Sequence, residues 1–321
     1  MKSSAQSQPE GARQPPSEIR PLGITWLLLK DTMFRSQQFI AIAVMCLGML
    51  FIPLGDTAGK LLTSNNAISP FFVGWSRFVI GAFLVFILFR GRGFNFNILR
   101  DWRIWLRAAL ITGAISCILT ALRTEPIANV FAAFFVGPIL SYFGSAILLK
   151  EPISKWRTLL LFVGFTGVLL VVKPGFDFSA GVLFALLAGT FYGSFLVASK
   201  WLAHLANPRS LLLSHLLIGA LFLTPLGIRE VPPMTLDISM LVILSAAASA
   251  LGNLLYLVAN KMADASRLAP LVYVQLVSAT ILGILVFGDY PDAISLFGLA
   301  LLLTSGFSSY LIANKRRRNV K

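Results

Sequence analysis

Hydrophobic positions fall into ten runs, at about 39–61, 68–89, 104–123, 127–149, 155–173, 180–201, 209–228, 236–258, 267–288 and 292–314, parted by short polar or basic stretches. Each run is close to the roughly 20 residues that a bilayer-spanning helix needs. The third run is expected to start inward of Arg103 and Arg107, two charges that hydrocarbon would reject. Ahead of the first run, residues 1–38 are rich in Ser, Gln and Pro. Their one apolar patch, Ile24 to Leu29, is too short to span, so the segment reads as a disordered cytoplasmic tail. A basic tail, residues 315–321, closes the chain. The pattern predicts an all-α membrane protein of ten transmembrane helices.

The runs repeat. Ala128, Glu151 and Pro152 recur as Ala265, Asp289 and Pro291, at offsets of 137, 138 and 139. Pro70, Ser76, Ile80, Gly81 and Ala82 recur as Pro208, Ser214, Ile218, Gly219 and Ala220, each 138 later. Ala58-Gly59-Lys60 returns as Ala198-Ser199-Lys200 at 140, and Gly167 as Gly306 at 139. So long a period marks a duplicated half rather than a solenoid. The predicted halves are 39–173 and 180–314, with five spans each. An odd number of spans makes the second half enter the membrane with opposite polarity, which predicts two inverted five-helix repeats with a substrate site between them.

Composition strengthens this reading. Hydrophobic residues make up 57% of the chain and charged ones 12%, with a mean hydropathy of +0.81. The net charge of +14 is scattered in short clusters between apolar runs instead of lining one surface, so no nucleic-acid partner is expected. Counted on alternate sides of the spans, 22 Lys and Arg fall on the side of both termini and 4 on the other, with Arg77 inside a span. The positive-inside rule then sets both termini in the cytoplasm. Cys46 and Cys117 lie in apolar runs without metal-ligand spacing, and no cofactor is expected.

Several stretches together resemble ten-helix members of the drug/metabolite transporter superfamily that carry two EamA domains. They are Ser76-Arg77-Phe78 in the second span, the Pro138-containing fourth span closing on Lys150-Glu151-Pro152, the Gly164/Gly167 pair before Lys173-Pro174-Gly175, and Gly288-Asp289. The second half departs from the first by having His215 at the place of Arg77 and Gln275 at that of Pro138. The resemblance implies a secondary transporter of a small organic metabolite in the bacterial inner membrane. The Gly55-Asp56-x-x-x-Lys60 pattern is similar to the branch that takes up riboflavin and related heteroaromatic compounds. Other members export amino acids, metallophore-like metabolites or drugs.

Ionisable groups inside spans are costly without partners or water. Asp56 and Lys60, one turn apart on the first span, and Arg77 on the second therefore read as one charged cluster. It could bind substrate, carry protons as the coupling ion, or simply lock two helices together. Gly55/Gly59 and Gly189/Gly193 give the first and sixth spans thin faces, expected to meet across the axis with Asp56 turned to the sixth span. Tyr192, Asn253, Tyr256, Tyr273 and Gln275 carry hydrogen-bonding groups that hydrocarbon cannot satisfy, so they should face the interior and line a cavity suited to a flat neutral solute. Glu151 and Asp289 read as structural residues at span ends, and Pro138, Pro225 and Pro270 as prolines that can kink or hinge their helices.

An intramembrane protease is the enzyme to weigh, given Leu54-Gly55-Asp56 and Phe287-Gly288-Asp289. No G-x-G-D turn precedes Asp56, however, and no G-x-S-x-G or H-E-x-x-H stretch occurs. A channel would need polar rings or a continuous stripe, and the sequence offers one charge cluster instead. Reporter fusions placed after Lys321 are expected to read cytoplasmic. Labelling of that end from outside would overturn the orientation.

Overall fold

The computed structural model describes residues 22–65, 68–150, 153–172, 179–202, 204–262 and 269–318, and within them it is helical without strands. The helices are α1 (Leu22–Lys60), α2 (Pro70–Leu88), α3 (Trp102–Leu122), α4 (Ile127–Phe134), α5 (Val136–Leu148), α6 (Lys155–Val172), α7 (Ala180–Trp201), α8 (Pro208–Gly227), α9 (Leu236–Met262), α10 (Val274–Leu282) and α11 (Ala293–Arg318). A 3-10 turn, Ala269–Tyr273, leads into α10, and wide π turns follow α1 (Leu61–Asn65) and α10 (Gly283–Phe287). Among the described residues seven helical segments are long and apolar enough to cross a membrane. The apolar helices Thr158–Val172, Leu271–Phe287 and Ala293–Ser308 are shorter, at the fifth, ninth and tenth expected spans.

Local chemistry explains the helix starts. The Ser69 hydroxyl accepts the Phe71 amide ahead of Pro70, and the Asn207 side-chain oxygen Oδ1 accepts the Ser210 amide ahead of Pro208. Both use a polar cap followed by a proline whose missing N–H costs nothing in a first turn. Two expectations need correcting at other starts. α3 begins at Trp102, not inward of Arg103, because Asp101 caps it and pairs with Arg103 at 2.6 Å. Hydrogen bonds from Arg103 hold the Asp101 carboxyl below its usual range. α1 begins at Leu22, inside the stretch read as a tail, since neither Pro nor Gly interrupts the chain between Gly23 and Gly48. Residues 1–21, Glu151, Pro152 and Lys173-Pro174-Gly175 lie outside the described residues.

Helix contacts come in exchanged pairs. α1 packs on α9 as α7 packs on α3, α5 on α7 as α10 on α1, and α3 on α8 as α9 on α2. The pairs α2 with α8 and α6 with α11 are their own counterparts. Phe83, Leu221, Met240 and Phe297 point outward, as a hydrocarbon-facing belt requires. The main buried cluster joins Leu62 of the π turn after α1, Phe72 of α2, Leu119 and Leu122 of α3, Ile127 and Phe131 of α4, and Leu276 of α10.

Glycine makes the closest crossings. A Cβ on Gly167 would stand 2.6 Å from the Gly298 carbonyl, so α6 and α11 touch backbone to backbone. The thin faces of α1 and α7 do not meet as expected. Gly55 lies on Ser245 and Ser249 of α9 and Gly59 on Arg77, while Gly189 and Gly193 lie on Phe134 and Gly137. The reason is the α4–α5 break: Pro138 cannot donate to the Phe134 carbonyl, and that carbonyl turns to α7, where only glycine leaves room. A Cβ on Gly189 would meet it at 2.6 Å. Gly189→Leu is expected to cost about 1–3 kcal/mol or more through overpacking, read as lower yield of folded protein and a lower Tm. Unchanged yield and Tm would contradict this crossing.

Candidate functional site

The expected charge cluster separates into two. Arg77 donates from Nη1 to Asp56 Oδ1 at 2.6 Å, from Nη2 to the Gly55 carbonyl at 2.7 Å and from Nε to Ser245 Oγ at 2.8 Å. Ser245 in turn donates to the Gly55 carbonyl at 2.9 Å. Asp56 and Arg77 are 5% and 6% exposed, a dry knot tying α1, α2 and α9 together. Asp56 thus faces α2, not the sixth span, because the guanidinium is the one group there that can offset its charge.

Lys60 turns away from Asp56. Its Nζ donates to the Glu125 carbonyl at 2.9 Å and to Asp289 Oδ2 at 3.0 Å, and lies 4.4 Å from the centre of the Phe287 ring. Glu125 accepts a short hydrogen bond from Ser179 through its carboxylate. This clasp joins the end of α1 and the α3–α4 turn to the α10–α11 turn, between the two π turns. Gly288, at φ +69°, supplies the left-handed step that brings Asp289 to the lysine. Asp289 is therefore more than a helix-end residue. Asp56 and Asp289 are also engaged with different cations, so they are not arranged as a catalytic pair.

A third group occupies the two breaks. α4 ends and α5 begins around Phe135, and the 3-10 turn passes into α10 at Tyr273, 138 residues later. These two rings stack, with centroids 5.0 Å apart and planes at 23°. Gly306 of α11 makes room, since any side chain there would strike the Tyr273 ring. From Phe134 the aromatic row continues onto α7, to Tyr192 at 4.8 Å and then to Phe195 at 6.0 Å. Tyr256 of α9 packs against the cluster of Ala41, Met45, Met49 and Ala259, together with Leu271 and Val272 of the 3-10 turn and Val274 at the start of α10. Gln275 is buried.

Of the residues singled out from the sequence, Tyr192, Tyr256, Tyr273 and Gln275 belong to this central region. Asn253 does not fit the expectation of an inward-facing amide: it is exposed and donates to the Ser249 carbonyl one turn back, so its own helix satisfies it. The sequence reading passed over Phe134, Phe135, Phe195, Arg107 and Glu125. Phe135 was within reach of the repeat offset, because it stands 138 before Tyr273. The Asp56–Arg77 knot generates a test. Asp56→Asn leaves Arg77 buried without a counter-charge and is expected to destabilise the protein by about 3–5 kcal/mol, seen as reduced abundance and Tm. Wild-type abundance and Tm would show that water reaches the guanidinium.

Residues 39–173 and 179–311 each match the EamA-like transporter family. An S-adenosylmethionine uptake transporter of Rickettsia prowazekii is 22% identical over 264 residues, covering 80% of this chain and 87% of that protein. A riboflavin transporter of Brucella anthropi is 27% identical over 214 residues, covering 64% and 75%. A crystal structure of 20% sequence identity shares the fold, with a TM-score of 0.61 over 85% of this chain and 97% of the other. With both halves matched, the chain belongs to the EamA-like transporter family and is a multi-pass membrane transporter of small metabolites.

Proposed function

We propose that this protein is a secondary transporter importing a flat heteroaromatic metabolite across the bacterial inner membrane by alternating access, with ten spans in two inverted halves and both termini cytoplasmic. The observation that carries the reading is the Phe135–Tyr273 stack. Two residues at equivalent places in the two halves meet face to face, each at a helix break. Broken helices at a repeat interface are where transporters of this architecture build their sites, since backbone without a helical partner is tolerated at membrane depth where protein buries it or where it lines a cavity. The exchanged helix contacts support a twofold relation between the halves, and five spans per half imply its inversion.

In this reading Tyr192, Tyr256 and Tyr273, with Phe134 and Phe135, offer ring faces, and the Gln275 amide offers a donor and an acceptor to a heterocycle edge. Riboflavin and S-adenosylmethionine, named in the relatives, both present a fused nitrogen heterocycle of that kind. Riboflavin is the substrate we favour. Asp56 and Arg77 hold one wall, Lys60 with Asp289 closes one end, and Asn253 stands outside the lining.

Purified protein in proteoliposomes is expected to take up labelled riboflavin or S-adenosylmethionine. Tyr273→Ala is expected to lower that uptake, measured per amount of folded protein in the vesicles, roughly two- to tenfold. An imposed pH gradient tests protons as the coupling ion, and acceleration is expected if they are. Uptake of neither heterocycle, or uptake indifferent to Tyr273→Ala, would overturn the proposal.

A further inference from the structure

Arg107 of α3 is 6% exposed, as deeply buried as Arg77, yet among the described residues no carboxylate lies within ion-pair distance of it. Its Nε donates to Ser199 Oγ at 2.8 Å and its Nη1 to the Leu211 carbonyl at 2.9 Å. Nη1 also lies 3.5 Å from His215 Nδ1, and the guanidinium carbon is 4.6 Å from the centre of the Phe195 ring. These contacts satisfy hydrogen bonds without offsetting the charge. A buried guanidinium left with its full charge is expensive.

The repeat makes the missing charge conspicuous. Arg77 and His215 are 138 apart, and so are Arg107 and Ser245. The Arg77–Ser245 contact and the Arg107–His215 contact are therefore one contact seen in both halves, with the arginine moved to the other partner. Around it, Gly59 and Ser199 correspond at an offset of 140, as do Gly55 and Phe195. Asp56, which neutralises Arg77, has Leu196 at that offset. One half carries its own anion and the other has an aliphatic side chain in that place.

We propose that Arg107, with His215 and Ser199, forms a subsite for an anionic oxygen group, a carboxylate or phosphate, on an aromatic solute. Phe195 connects this corner to the central rings. It lies edge-on to His215 at 5.9 Å and continues through Tyr192 to Phe134 at the helix break. Tyr192, Phe195, Ser199 and His215 each keep part of their surface open, so the row has a face on which a ligand can lie. An anionic lipid headgroup carries the same chemistry as an acidic solute. The aromatic row running inward from Arg107 favours the solute. The inference rests on the aromatic-solute reading above and selects among its solutes those with an acidic group, which S-adenosylmethionine has in its carboxylate and riboflavin lacks.

The test uses the full chain in nanodiscs of phosphatidylcholine and measures binding of labelled nicotinate and nicotinamide, a heteroaromatic acid and its neutral amide. Wild type is expected to bind nicotinate about tenfold or more tightly than nicotinamide. Arg107→Gln is expected to abolish the difference while nicotinamide binding persists, and Arg107→Lys to restore part of it. Leu196→Asp, which supplies in α7 the anion that Asp56 supplies in α1, is expected to cancel the preference without removing the arginine. Equal binding of the two by wild type would overturn this inference alone, as would a nicotinate preference that survives both Arg107→Gln and Leu196→Asp. Loss of the preference in discs containing anionic phosphatidylglycerol would assign the corner to a lipid headgroup. Binding of neither compound would overturn the inference together with the aromatic-solute reading.

Discussion

A cation inside an apolar bundle has no water to fall back on, and the arrangement of this protein follows the ways in which three such groups are satisfied. Arg77 is answered by Asp56, Gly55 and Ser245, which fixes α1, α2 and α9 against one another. Lys60 is answered by Asp289 and the Glu125 carbonyl, which fastens the end of α1 to turns that lie far along the chain. Arg107 is answered by Ser199 and Leu211, which fixes α3, α7 and α8. Each of these groups binds at least two other segments, so each acts as a packing constraint as well as a charge. Their strength comes from the low-dielectric surroundings, where an unanswered charge costs far more than at a surface.

The two arginine knots divide the labour of holding the halves together. One joins the first two helices to α9 of the second half, and the other joins α3 of the first half to α7 and α8 of the second. Between them lies the region where neither charge nor regular helix is used. Phe135 and Tyr273 meet at the two breaks, and the surrounding contacts are aromatic. Stacked rings can separate and re-form at modest cost, on the order of 0.5–1.5 kcal/mol beyond burial. Two groups of helices fastened by charge, with soft aromatic contacts at their junction, fit the rocking between two packings that the proposed alternating-access reading requires.

The corrections share one cause. Asp56 and Lys60 lie four residues apart on one helix, a spacing that brings side chains together on an isolated helix. In the bundle each found a stronger partner, Arg77 for the acid and Asp289 for the lysine. Helical spacing names the neighbours available within one element, and competition from other elements chooses among them. Asn253 shows the reverse: the sequence argument required a buried partner, and the carbonyl one turn back supplied it without burial.

The chain by itself determined the helical class, the near boundaries of the apolar segments, the duplication and the family, because each is written in local hydrophobicity, in capping residues or in a fixed offset. The offset even held the two pairs that proved informative, Phe135 with Tyr273 and Arg77 with His215. What it could not express was which residues meet. An offset relates equivalent places, and whether two equivalent residues stack on one another or stand far apart depends on where the axis between the halves passes. Only the tertiary structure brought the two rings together, turned Lys60 towards Asp289, and left Arg107 without an acid among the described residues. Those outcomes arise from helices distant in sequence competing for the same buried charges.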